Sequence, residues 1–198
     1  MTDTKKARRA GRPRAFDPDA GVAAAMRLFW EKGYDAVGVA ELAQTIGINP
    51  PSLYSAYGSK RELFCRAVAH YSGTQGQFFA RLDEGGPAFE TLVSVLEEAA
   101  RSGTSDATAR GCLVLDGTRN CTDPGARALT AEVRADLREK ARSLIARERP
   151  DVADSAADYF MFVLTAISGS AIDGVPLERL MQDIALAGRG LGAILGRD

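Results

Sequence analysis

Helix punctuation dominates the first third of the chain and fixes what it can fold into. Asp17-Pro18 pairs a capping carboxylate with proline in the first helical position, and Asp19 complements the helix dipole. Val22, Met26 and Phe29 then recur at helical spacing until Gly33 stops the run. A second short helix follows over Val39, Leu42, Ala43 and Ile46 and ends at Gly47. Asn49-Pro50 repeats the cap-plus-proline signal and opens a third helix with Leu53 and Tyr57 on one face, broken by Gly58. Ser59 and Glu62 have capping-box spacing and start a fourth helix, predicted to run through Leu63, Phe64, Ala67 and Tyr71 towards Leu82.

The same grammar continues without strand signals. Phe89, Leu92, Val93 and Leu96 form a helical stripe behind Gly85-Gly86-Pro87, and residues 103–108 read as a loop. Gly111 to Asn120 reads as a short helix. Thr122-Asp123-Pro124 opens a long one carrying Leu129, Val133, Leu137, Ala141, Leu144 and Ile145. Two more helices are expected, about 153–172 and 177–195. The apolar run Tyr159 to Ile172 falls short of the ~20 residues that span a bilayer, so it predicts a buried core helix. With no apolar segment behind the basic N-terminus, the expectation is a soluble, cytoplasmic, all-α protein.

The formal net charge of −1 hides an asymmetry. Up to Arg66, 11 basic residues face 7 acidic ones; beyond it, 14 face 19. Lys5, Lys6, Arg8, Arg9, Arg12 and Arg14 oppose only Asp3 in the first stretch. Such a basic arm before a small helical module is an electrostatic footprint for nucleic acid, or else a solvated tail. The organisation expected is a flexible basic arm over 1–15, a DNA-binding domain over 16–64 and a second helical domain over 65–198.

The two helices around Gly47-Ile48-Asn49 fit a helix-turn-helix, because the turn needs positive φ, which glycine supplies without strain. Leu53 and Tyr57 point inward, which leaves Pro51, Ser52, Tyr54 and Ser55 on the outer face. The stretch from Gly11 to Phe64, with its LFWEKGY, LAQTIGI, SLYSAYGSK and ELF segments, resembles the N-terminal domain of the TetR family of transcriptional regulators. The resemblance implies a three-helix DNA-binding domain, a C-terminal ligand-binding and dimerisation domain, and a pseudo-palindromic double-stranded operator. It places Pro50, Pro51, Ser52 and Ser55 at the recognition-helix end that reaches base edges, and Tyr54 and Lys60 at phosphate contacts. Arg12 and Arg14 either enter the flanking minor groove or attract DNA without reading it. Where the family carries threonine or serine before the turn, this chain has Val37-Gly38. Gly38 therefore caps its helix without offering a hydroxyl to a phosphate.

The resemblance also implies a homodimer through the last two helices. Ala166, Ser170, Ala187, Gly188 and Gly192 offer close approach there, and Leu180, Ile184, Leu191 and Leu195 add apolar area, unless they pack within one subunit. Phe78 and Phe79 on the fourth helix, Tyr159, Phe160 and Phe162, and Leu113 and Leu115 are candidates for an apolar effector cavity, with Asp116 or Tyr159 as polar handle; plain core is the competing reading. The effector implied is a small apolar or amphipathic molecule. Cys65, Cys112 and Cys121 keep open a thiol-based redox switch. With His70 the single histidine and the cysteines dispersed, no catalytic set, metal site or bound cofactor is expected. Gly188 to Gly192 lies in a helix, which argues against a nucleotide loop.

Overall fold

The computed structural model describes residues 17–197, which form helices joined by turns with no strand among them. The first four helices are α1 (Pro18–Lys32), α2 (Val39–Ile46), α3 (Pro50–Tyr57) and α4 (Lys60–Thr74). A 3-10 turn (Gln77–Ala80) and α5 (Arg81–Glu84) lead to α6 (Ala88–Thr104), α7 (Leu113–Asp116), α8 (Pro124–Ala146), α9 (Ala153–Ile172) and α10 (Leu177–Leu195). The caps read from sequence are all made. Asp17 accepts from Asp19 N, Asn49 from Ser52 N, and Ser59 and Glu62 close the reciprocal capping box.

Two expectations are corrected. The fourth helix does not continue to Leu82 but ends at Thr74. Ser72, Gly73, Thr74 and Gly76 weaken it there, and the hydroxyls of Ser72 and Thr74 donate back to Val68 O at 3.1 Å and His70 O at 2.8 Å. Phe78 and Phe79 therefore lie on the 3-10 turn and not on α4. The helix expected over 111–120 shrinks to the single turn of α7. Its N-cap Cys112 makes no side-chain cap bond, and Asn120 takes a positive φ of 58°. Cys112 and Cys121 consequently do not share a helix.

The described residues form two cores. The head core gathers Phe29, Leu42, Leu53, Tyr57, Leu63, Phe64 and Tyr71 from α1–α4 and Tyr34 from the turn after α1. It also takes in Leu113, Val114, Cys121 and Ala126 from far along the chain. The body core joins α6, α8, α9 and α10 around Leu92, Leu96, Leu144, Phe160 and Leu164. By length and composition α9 is apolar enough to cross a membrane. Here Ala156, Ala157, Phe160, Val163, Leu164, Ile167 and Ala171 are buried at the centre of the body instead.

Candidate DNA-binding head and effector cavity

The turn between α2 and α3 is built from its own backbone. Gly47 sits at φ 77°, ψ 30°, and its N–H and that of Ile48 close the end of α2 on Gln44 O and Ala43 O. Asn49, in extended conformation, then starts α3 by accepting from Ser52 N at 2.9 Å. Leu53 and Tyr57 are buried, with the Tyr57 hydroxyl donating to Pro18 O at 2.9 Å, so α3 is pinned to the start of α1. That fixes its opposite face outward. Pro50, Pro51, Tyr54 and Ser55 are exposed, Tyr54 by 53%, and Ser52 is half-buried.

Gly38 is exposed at the start of α2, and no side chain caps that helix. Lys60 opens α4 with its ammonium 4.1 Å above the Tyr34 ring. Partial burial pulls its pKa below the usual lysine value, while Asp35, Cys121 and Asp123 act in the opposite direction. Arg12 and Arg14 lie outside the described residues.

The head is clamped to the body along one corner. Arg27 donates to Asp106 at 2.6 Å and to Thr108 at 2.9 Å. The Trp30 indole N–H lies 3.1 Å from Arg110 O and 3.2 Å from Gly111 O. Tyr34 N donates to Gly117 O at 2.7 Å, and the Tyr34 hydroxyl donates to Asp123 at 3.0 Å. Asp35 accepts from Thr122 N at 2.6 Å, from the Thr122 hydroxyl at 2.9 Å and from the Cys121 thiol at 3.1 Å. The bond from Thr122 N, followed by that from Cys121, holds the Asp35 carboxyl below its ordinary pKa. Bonds from the Thr108 backbone and hydroxyl, with Arg27 behind them, hold Asp106 well below the carboxylate range.

A small cavity lies between the two cores. Tyr71, Phe78, Phe79, Ala99, Ser102, Gly103, Gly111, Cys112, Leu115, Leu164, Ile167 and Ser168 line it. Its free volume is about 10 Å³, room for at most one water. Tyr71 and Phe79 also wall a larger groove of about 360 Å³ against α8, reaching Val133, Leu137 and Lys140.

Of the proposed effector residues, Phe78 and Phe79 reach the cavity, with rings 4.4 Å apart, and so does Leu115. Asp116 stands just behind it, accepting from the Ser168 hydroxyl and paired with Arg119 at 2.5 Å. Leu113, Tyr159 and Phe162 do not line it. Leu113 belongs to the head core, and the Tyr159 hydroxyl donates to Ala187 O at 3.2 Å on α10. Phe162 points away from the body and is 70% exposed. The sequence reading missed Tyr71, Cys112 and Ser168. The signal for Tyr71 was its place one turn beyond Ala67 on the inward stripe, but nothing local marked Ser168.

Six of the nine dimer candidates, Leu180, Ile184, Gly188, Leu191, Gly192 and Leu195, are buried within one subunit, where Gly188 faces Val93 and Gly192 faces Phe89 of α6. The large apolar side chains left exposed on the last two helices are Phe162, Ile172 and Leu186, and the candidate Ala166 is exposed with them. Cys65 is exposed, whereas burial, the larger cause in both, raises the thiol pKa of Cys112 and Cys121. Among the described residues no cluster of His, Cys, Asp or Glu has the makings of a metal site.

Residues 22–67 match the family model described as bacterial regulatory proteins, tetR family. BdcR of Escherichia coli (strain K12), an HTH-type transcriptional repressor, is 39% identical over 196 residues, covering 98% of this chain and 99% of BdcR. ComR of the same organism, another HTH-type transcriptional repressor, is 31% identical over 90% of this chain and 89% of its own length. Among solved structures, a cysteine mutant of the TetR family regulator CifR, complexed with 26 bp double-strand operator DNA, superimposes with a TM-score of 0.81. It is 35% identical and covers 90% of this chain and 98% of CifR.

Proposed function

Since the chain belongs to the tetR family of bacterial regulatory proteins, we propose that it is a repressor that a small molecule releases from a pseudo-palindromic operator. The observation that carries this reading is the outward face of α3. Pro51, Tyr54 and Ser55 project from a helix locked on its other side by Leu53 and Tyr57. In this arrangement the start of α3 enters the major groove. Pro50, Pro51, Ser52 and Ser55 approach base edges, while Tyr54 and the start of α4 at Lys60 hold phosphates. With no Arg, Asn or Gln on that face, readout leans on thymine methyls and DNA shape. Arg12 and Arg14 add charge-driven affinity from the arm.

One head makes too few contacts for useful specificity, so two copies pair through α9 and α10. Phe162 and Leu186, 70% and 54% exposed, are the apolar groups available for that contact. Residues 16–64 then act as the DNA-binding unit and residues 65–198 as the effector and dimer unit. The cavity beside Phe78 and Phe79 is the effector site, and its few polar groups, Tyr71, Ser102, Cys112 and Ser168, suit a small, mainly apolar molecule with one hydrogen-bonding group. A DNA fragment selected from random sequence by the protein tests the reading. Affinity that falls steeply with salt and shows two-fold symmetric half-sites supports it; no salt-dependent binding to any fragment overturns it.

A further inference from the structure

We propose that the outer cleft between head and body is a binding site for a small aromatic carboxylate, held by the side chain of Arg110. The cleft has a free volume of about 510 Å³ and lies where the end of α1 and the turn behind it face residues 107–121. That size falls in the range of small-ligand sites, about 300–1,000 Å³. No described residue lines both this cleft and the inner cavity. Five of the six charged side chains on its walls are already engaged. Glu31 pairs with Arg27 at 3.1 Å, Lys32 with Glu41 at 2.5 Å, and Asp116 with Arg119 at 2.5 Å. Asp35 is taken up by Thr122 and Cys121. Arg110 is the sixth, and it has no carboxylate partner among the described residues.

The Arg110 guanidinium is half-buried, and its one side-chain bond is a long 3.4 Å contact to Ala171 O. Four of its N–H donors are left to offer. The end of α9 lies there, and a helix C-terminus offsets only about half a charge. A positive charge is therefore left over in the cleft. The neighbouring rings have their polar atoms engaged elsewhere. The Trp30 indole N–H faces Arg110 O and Gly111 O, and the Tyr34 hydroxyl donates to Asp123. Together with Ile172 they give the cleft carbon surface. An occupant that matches these walls carries one negative charge on a planar group and a flat apolar body. A carboxylate meets the guanidinium fork with two parallel hydrogen bonds. A phosphate dianion fits less well, because Glu31, Asp35 and Asp116 stand on the same walls and a single cation there is unpaired.

Trp30 is the single tryptophan and lines the cleft, so its emission reports on an occupant directly. Benzoate, its neutral analogue benzamide and inorganic phosphate are titrated into the full chain. Benzoate is expected to give a saturable change, with benzamide and phosphate weaker by about tenfold or more, the worth of one charge-assisted contact. No saturable response to benzoate overturns the site. Benzamide or phosphate binding as well as benzoate overturns the assignment to an aromatic carboxylate. Arg110→Gln, folded by circular dichroism, is expected to weaken benzoate about tenfold or more. Arg119→Gln is expected to weaken it by about twofold or less, because Asp116 already holds that charge. Equal losses in the two variants mean that general positive charge attracts the benzoate, which overturns the role of Arg110. Should Arg110→Gln not fold, Ile172→Glu sets a carboxylate on the same wall to compete for the guanidinium. It is expected to weaken benzoate to the same extent, and unchanged affinity overturns the proposal. The site depends on neither the inner cavity nor DNA, so its failure leaves the proposed function as it stands.

Discussion

The head core is rich in rings, whereas the body core buries the single ring of Phe160 among aliphatic side chains and alanine. In the head, Phe29, Tyr34 and Phe64 meet at centroid distances of 4.9 to 5.8 Å, with Trp30 edge-on to Tyr71 beside them. The body instead interleaves Leu92, Leu96, Leu144 and Leu164 with Ala100, Ala141, Ala156 and Ala157 along long helices. A domain of short helices has little area per element, and rings of 150–250 Å² compensate for it, with edge-to-face geometry adding direction. Long helices bury enough area through repetition, and alanine lets their axes approach. The head is thus rigid through a few large groups, whereas the body spreads its stability over many small ones. It is the segment 106–123, belonging to both cores, that breaks this symmetry.

The largest expected effect comes from the body's outer face. Phe162→Glu is expected to yield a folded monomer by sedimentation and to reduce operator affinity by about 100-fold or more, because a head alone lacks the second half-site. A dimer with unchanged affinity would show that the subunits meet elsewhere. Next, Phe29→Ala is expected to cost about 3–5 kcal/mol. Ala156→Gly, by contrast, should cost only about 1 kcal/mol in the body. Thermal unfolding read with hydrogen exchange separates the two, and similar losses would refute the contrast between concentrated and distributed cores. Removing a single cap by Asn49→Ala is expected to cost about 1 kcal/mol and to fray α3, lowering operator affinity without changing the oligomeric state.

Smaller again, Lys60→Ala is expected to weaken binding to all sequences alike and to reduce the salt slope by about one. A change in sequence preference would remove Lys60 from the phosphate role. The last test is pH. The carboxyls of Asp35, Asp106 and Asp123 that tie the segment to the head are all depressed, so their stabilisation is complete above the unfolded value near ~3.9. It is lost as pH falls through the lower folded values. Trp30 fluorescence is expected to report loosening of the corner on acidification below about pH 4, ahead of the loss of body helicity by circular dichroism. Simultaneous transitions would mean that the two regions unfold as one.

Local chemistry made the head legible. Asp17-Pro18, Gly47, Asn49-Pro50 and the Ser59/Glu62 box each act within four residues, and the structure realises every one of them. The outward face of α3 followed from Leu53 and Tyr57 alone. The body gave its helices but not their neighbours. Gly188 and Gly192 carry the same small-residue signature whether they meet α6 of their own subunit or a second copy, and Phe162 looks like core until its rotation on α9 is known. Phe78 and Phe79 shifted for a subtler reason, since the weak helix formers at 72–76 end α4 only in concert with the turn that follows.

By itself, then, the sequence determined where each of the four head helices starts, the turn between α2 and α3 and the side of α3 turned outward, because caps, glycines and 3.6-residue spacing act over short distances. The tertiary structure decided the rest. It brought Cys121 and Thr122 to Asp35, 86 and 87 residues away, placed Ser168 beside Asp116, and set α7 between two cores. Those contacts depend on how whole helices pack, and no local pattern encodes a partner so far along the chain.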